Sequence, residues 1–152
     1  AEQECHKWNE ESVTTATPLG KTPVPKTLAQ AMTALAASDA QGMTPVGPVI
    51  AAQFKAGELL VENVQLAPGK CYTVLAASDT ISELDVQLVM VPPPNFPMPP
   101  AALAVDNTTG PVAKLGAGNN CFKMPIPVPI PVAVVVKATT GQGIAVAQLF
   151  ER

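Results

Sequence analysis

At 152 residues the chain is the size of one ordinary domain and long enough to bury a core of its own. Hydrophobic residues make up 47% but aromatics only 4%, so that core is built from Val, Leu, Ile and Ala; the 17 prolines exclude a helical bundle, because each interior proline removes a backbone donor and clashes with the preceding turn. A formal charge of −3, with nine scattered basic residues and none between Cys71 and Ala113, excludes nucleic-acid binding, which needs a concentrated basic surface.

Residues 1–25 are polar and then Thr/Pro-rich, without periodicity, and read as an extended arm. Ala1 followed by a polar, acidic run reads as a mature start after A-x-A-type cleavage, which points to a secreted, periplasmic or outer-surface protein. Residues 26–42 are the helical segment: Leu28, Met32, Leu35 and Ala36 recur on one face, Thr22 with Pro23 or Thr27 opens it, and Gly42 ends it.

From Val46 onward the pattern is that of strands. ELLVENVQL at 58–66 runs into the turn Ala67-Pro68-Gly69-Lys70 and then the strand Cys71–Ala76. In SELDVQLVM (82–90), Leu84, Val86, Leu88 and Met90 point one way and Glu83, Asp85 and Gln87 the other, a period of two that predicts one dry face and one wet face. Residues 101–106 form a further strand ended by Asn107-Thr108-Thr109-Gly110, and the strands 132–138 and 143–150 flank Thr139–Gln142, which reads as a hairpin turn. The predicted fold is therefore all-β, an antiparallel jelly-roll-like sandwich over 46–152, with its clearest part from Gly57 on, preceded by the arm and one short α-helix.

Two tracts interrupt the strands: Val91–Pro100 (VPPPNFPMPP) and Pro125–Pro131 (PIPVPIP). Alternate prolines are incompatible with a central strand and predict polyproline-II loops or sheet edges. The apolar run 124–136 has 13 residues and four prolines, too short for a spanning helix, which needs about 20.

The order of elements in 57–150 resembles the bacterial pre-peptidase C-terminal domains and related secreted β-sandwich modules. The resemblance rests on Ala67-Pro68-Gly69-Lys70-Cys71-Tyr72-Thr73-Val74, Glu83-Leu84-Asp85-Val86-Gln87-Leu88, Leu103-Ala104-Val105-Asp106 and the closing pair 132–138 and 143–150. It implies a sandwich that accompanies secreted hydrolases and aids substrate binding, secretion or stability. Cys71, Cys121, the apolar proline tracts and residues 1–56 depart from that pattern, and no hydrolase is attached, so the resemblance implies a fold more than a job.

Of the three cysteines, Cys71 opens one strand and Cys121 follows the turn 116–120 into another, so a 71–121 disulfide is expected; buried free thiols are the alternative, and the spacing does not suit zinc. Cys5 is then left over, for an intermolecular bond, another pairing or a free thiol. The only histidine, His6, lies in the arm without a scaffold for general-base work, so no catalytic residue is assigned and the chain is not expected to be an enzyme. Asp79, Glu83, Asp85 and Asp106 are the acidic residues of the lysine-free region; they are candidate calcium ligands, set against plain solvation of a wet strand face. No other cofactor is suggested.

Phe96, Met98, Ile126, Val128 and Ile130 in the proline tracts either cap the sandwich core or form a contact surface, since stiff apolar segments lose little entropy on binding. The functional expectation is a non-catalytic secreted structural or interaction subunit, joined to itself or to another envelope protein. The second reading is a polymer- or carbohydrate-binding accessory module associated with secreted hydrolases; it is weakened by the scarcity of aromatics.

Overall fold

The computed structural model describes residues 15–19, 24–90, 101–106, 108–124 and 130–152. They form two packed antiparallel sheets and one helix, the all-β sandwich that the strand pattern predicts. The strands are β1 (Thr17–Pro18), β2 (Thr44–Phe54), β3 (Leu59–Leu66), β4 (Cys71–Ser78), β5 (Ile81–Met90), β6 (Ala101–Val105), β7 (Val112–Leu115), β8 (Phe122–Lys123), β9 (Ile130–Gly141) and β10 (Gly143–Glu151). The helix is α1 (Lys26–Asp39).

Sheet I has the order β1-β2-β10-β4-β7, with β8 also paired to β4; sheet II has the order β3-β9-β5-β6. The core between them is the inward side-chain set of both sheets, with Leu84, Val86 and Leu88 of β5 registered opposite Ala138, Val136 and Val134 of β9 and packing against Val74, Ala147 and Leu149 of sheet I. Alternation on β5 is as the sequence predicts for these three leucine and valine positions, while Glu83, Asp85 and Gln87 are half-buried on the outer side.

All eight residues of β4 are buried. The reason is a third layer: α1 packs on the outer face of β4 and β10, where Leu28 and Met32 meet Leu75, Ala77, Val146 and Phe150. Both faces of β4 are thus dry, which is why its sequence is a near-continuous apolar run instead of an alternating one. Leu35 and Ala36 pack partly buried on the same cluster. The helix opens directly after Pro25, whose carbonyl accepts from the amides of Leu28 and Ala29 at 3.0 Å; Thr27 lies inside its first turn and is not the cap, and Thr22 and Pro23 lie outside the described residues.

Three local features differ from the sequence expectation. Strand β2 begins at Thr44 and contains Pro45 and Pro48. It bulges between Val46 and Ile50, where Gly47 has φ 70°, and buried Gln148 of β10 donates to the carbonyls of Val46 and Gly47 at 3.1 and 3.3 Å. Secondly, Ile130 and Pro131 begin β9, a central strand, although proline was expected only in loops or at edges. The proline is tolerated because the ladder to β5 starts one residue later, at the pair Met90–Val132. Thirdly, β9 runs through Thr139 and Thr140, so the reversal narrows to Gly141-Gln142-Gly143. It is no hairpin, because β9 pairs with β3 and β5 while β10 crosses to pair with β2 and β4. This corner between the sheets nests against the one between β4 and β5: a Cβ on Gly143 would collide with the Thr80 side chain, and one on Gly141 would come within 2.9 Å of the Ser82 amide.

Cys71 and Cys121 stand at disulfide distance, bridged, with Cα atoms 5.4 Å apart. Among the described residues no helix is long and apolar enough to cross a membrane.

Candidate functional site

The outer face of sheet II gathers the acidic residues. Glu83 and Asp85 project from β5, and Asp106 follows the end of β6, held beside β5 by its own N–H, which donates to the Val86 carbonyl at 2.9 Å. One carboxylate oxygen from each of the three lies within 4.8 Å of the others. Asp79, the fourth acidic residue singled out in the sequence, sits in the turn between β4 and β5 and is not part of the group.

Each carboxylate is already engaged. Gly110 N–H donates to Glu83 Oε1 at 2.8 Å, and Val86 N–H donates to Asp106 Oδ1 at 3.0 Å. The Thr108 hydroxyl donates to Asp106 Oδ2 at 3.1 Å, and the Thr139 hydroxyl donates to Asp85 Oδ2. Burial raises the pKa of Asp85; Glu83 beside it raises it further, against the Thr139 hydrogen bond and the Lys137 charge. Asp106 is also raised, first by burial and then by the Asp85 charge, against its bonds from Val86 and Thr108. Such a trio can share a proton or offer oxygens to a hard cation. Calcium takes six to eight oxygens, of which the trio supplies only part.

Gly110, Thr108 and Thr139, which orient these carboxylates, were not singled out as site residues by the sequence. For Thr108 and Gly110 the signal was the turn Asn107–Gly110, and for Thr139 the turn Thr139–Gln142.

Two clefts mark the lateral seams where the sheets part. One, of about 290 Å³, lies between β2 and β3 and is lined by Pro18, Leu19, Val49, Ile50 and Leu60. Here the chain enters: Thr15 bridges in parallel to Leu59, Ala16 N–H donates to the Leu59 carbonyl at 2.7 Å, and β1 pairs with Gln53 and Ala52. The other, of about 440 Å³, lies between β6 and the segment β7–β8 and is lined by Ala104, Val105, Leu115, Cys121, Phe122 and Lys123. Neither cleft includes a carboxylate of the trio.

The remaining sequence-predicted residues divide as follows. Phe96, Met98, Ile126 and Val128 lie outside the described residues, as does Cys5; Ile130 starts β9, and its side chain is outside the description. What the topology does place is the attachment of both tracts. Residues 91–100 leave from Met90 and re-enter at Ala101, which is registered opposite Met90; residues 125–129 lead into Ile130, registered opposite Leu66 and adjacent to the Met90–Val132 pair. Both tracts therefore spring from one pole of sheet II. Next to that pole the outer face carries Val89, Ala133 and Val135, each no more than 1% exposed, in a cluster with Leu59 whose described members all come from β3, β5 and β9.

Comparison with protein-family models, with curated proteins and with solved structures finds no match for this chain.

Proposed function

We propose that the protein is a non-catalytic, secreted structural or interaction subunit whose contact surface centres on the pole of sheet II from which both proline-rich tracts arise. The observation that carries this reading is the convergence of both tracts on that pole, where Met90 is registered opposite Ala101 and Val132 and Ile130 opposite Leu66. An ordinary sandwich strand alternates apolar-in and polar-out, whereas here Val89, Ala133 and Val135 are apolar on the outer side as well; at no more than 1% exposed they are already packed, and they back the contact surface without forming it. A stiff apolar segment at each of two adjacent strand ends adds contact area at low entropic cost.

The disulfide-bridged pair supports an oxidising compartment, and with it secretion. The second reading, a carbohydrate-binding module of the pre-peptidase C-terminal kind, needs an exposed aromatic platform. Among the described residues Phe54, Tyr72 and Phe150 are buried and Phe122 is half-buried, which favours assembly over carbohydrate binding.

The test is light scattering on the size-excluded protein over a wide concentration range, with and without reductant. Assembly that rises with concentration is the expected outcome. A strict monomer in both conditions overturns the reading, and retention on polysaccharide beads would replace it with the accessory-module reading.

A further inference from the structure

The two seams of the sandwich are unlike, and the difference identifies what fits the second one. At the β2/β3 seam, β2 carries Pro45, Pro48 and a bulge, β3 carries Glu62 in its middle, and residues 15–19 strap across. Proline, charge and bulges are the ordinary means of blunting a sheet edge. At the opposite seam β6 is Ala101-Ala102-Leu103-Ala104-Val105, with neither charge nor proline; its one irregularity is the extra residue Leu103 in its pairing with β5. It pairs only with β5, so its other edge carries the backbone donors and acceptors of an unfilled ladder position among the described strands. Val105 at its end is 58% exposed and lines the 440 Å³ cleft, with Phe122 on the facing wall.

The rim of that cleft is basic. Lys123 lines it and is exposed, and the Arg152 guanidinium reaches Cys121 Sγ on the same wall at 3.5 Å. The complementary segment lies within this chain. Residues 1–14 (AEQECHKWNEESVT) hold four glutamates against Lys7, together with Trp8, the only tryptophan. This segment joins the fold at Thr15, which is at the β3 side, whereas β6 is the far edge of the same sheet.

We propose that residues 1–14 of a second copy add as a strand along β6, with Trp8 in the cleft against Phe122 and Val105 and the glutamates toward Lys123 and Arg152. Because the arm joins at one edge of sheet II and docks at the other, the contact joins two different surfaces, and copies either chain head-to-tail into a ring or filament or exchange arms reciprocally as a dimer. Backbone pairing supplies the ladder, and the single buried aromatic supplies the anchor. This inference rests on the assembly reading above and assigns its partner.

The experiment uses the whole chain with Cys5→Ser, so that disulfide exchange between copies does not contribute. Trp8 is the only tryptophan, so its emission reports the contact directly: it is expected to shift to the blue as light-scattering mass rises with concentration, and to weaken with added salt. Val105→Asp, at an exposed position, should raise the concentration needed for assembly at least tenfold while leaving the circular dichroism unchanged. A chain lacking residues 1–14 should be monomeric and should bind a synthetic peptide of residues 1–14 bearing Ser at position 5. Assembly that survives the deletion overturns this inference and leaves the assembly reading standing. A monomeric whole chain overturns both. Trp8 emission that is blue at every concentration in a monomer shows docking within one chain and overturns the second-copy assignment.

Discussion

Lys114 Nζ on the edge strand β7 lies 3.0 Å from Asp39 Oδ2 at the last residue of α1. The helix has no basic residue in its own last turn, so a lysine from the sheet supplies the positive charge near its C-terminus. With side chains 33% and 18% exposed, solvent screens this pair. Replacing Lys114 with Met is expected to cost less than about 1 kcal/mol, measured by urea denaturation at low and high salt, with the difference shrinking at high salt.

The apolar contacts of the helix carry far more. Leu28 is 2% exposed against β4 and β10. Leu28→Ala should cost about 2–5 kcal/mol from lost transfer energy and the cavity left behind, read as a lower denaturation midpoint. An unchanged midpoint would mean that the helix does not stay docked in solution.

The bridge between Cys71 and Cys121 closes a separation of 50 residues. Cys71→Ser, compared with wild type under oxidising conditions, is expected to lose about 4 kcal/mol in the chain-entropy picture. The same loss should follow from reductant on the wild type and vanish in the variant, which separates the bridge from the packing of residue 71.

Gln148 is buried in β10 and its amide serves the Val46 and Gly47 carbonyls at the bulge of β2. Gln148→Leu strips those acceptors of their donor and should cost about 1–3 kcal/mol. Amide exchange would locate the loosening in β2 before any other strand if the bulge depends on this side chain.

Asp85 and Asp106 both have folded pKa values raised above the ordinary 3.8. The stability each contributes is therefore fully present below that value and is lost as pH rises through the folded value. Stability should fall with rising pH across the window just above 3.8, and Asp85→Asn should flatten that fall and gain stability at pH 7. Because both groups are substantially solvent-screened, the gain is expected to stay under about 1 kcal/mol. A steeper fall in the variant would contradict the trio's repulsion.

Much of this architecture was legible because its signals were local. The alternation of Leu84, Val86 and Leu88 gave a half-buried strand, and Leu28 and Met32 gave a helix stripe, and the structure has both. Less legible were features that depend on a partner far along the chain. Strand β2, which contains Pro45 and Pro48, has no clear local signal, and the bulge between its prolines is held by Gln148, about 100 positions away. The acidic group was half legible for the same reason. Glu83 and Asp85 share a strand face by period alone, but that Asp106 joins them and Asp79 does not follows from the pairing of β5 with β6.

The consecutive strands β9 and β10 lie in different sheets and are central in each, β9 between β3 and β5 and β10 between β2 and β4. Among the described strands β1 with β2, β4 with β7 and β8, and β5 with β6 pair without them, whereas β3 has only β9 beside it. A chain emerging from a ribosome or crossing a membrane N-terminus first can form those smaller pairs but cannot join them into either sheet until residues 130–151 are free. Removing these two strands should leave two sets of strands with an empty slot in each, and the order of arrival becomes the control on when the sandwich can close.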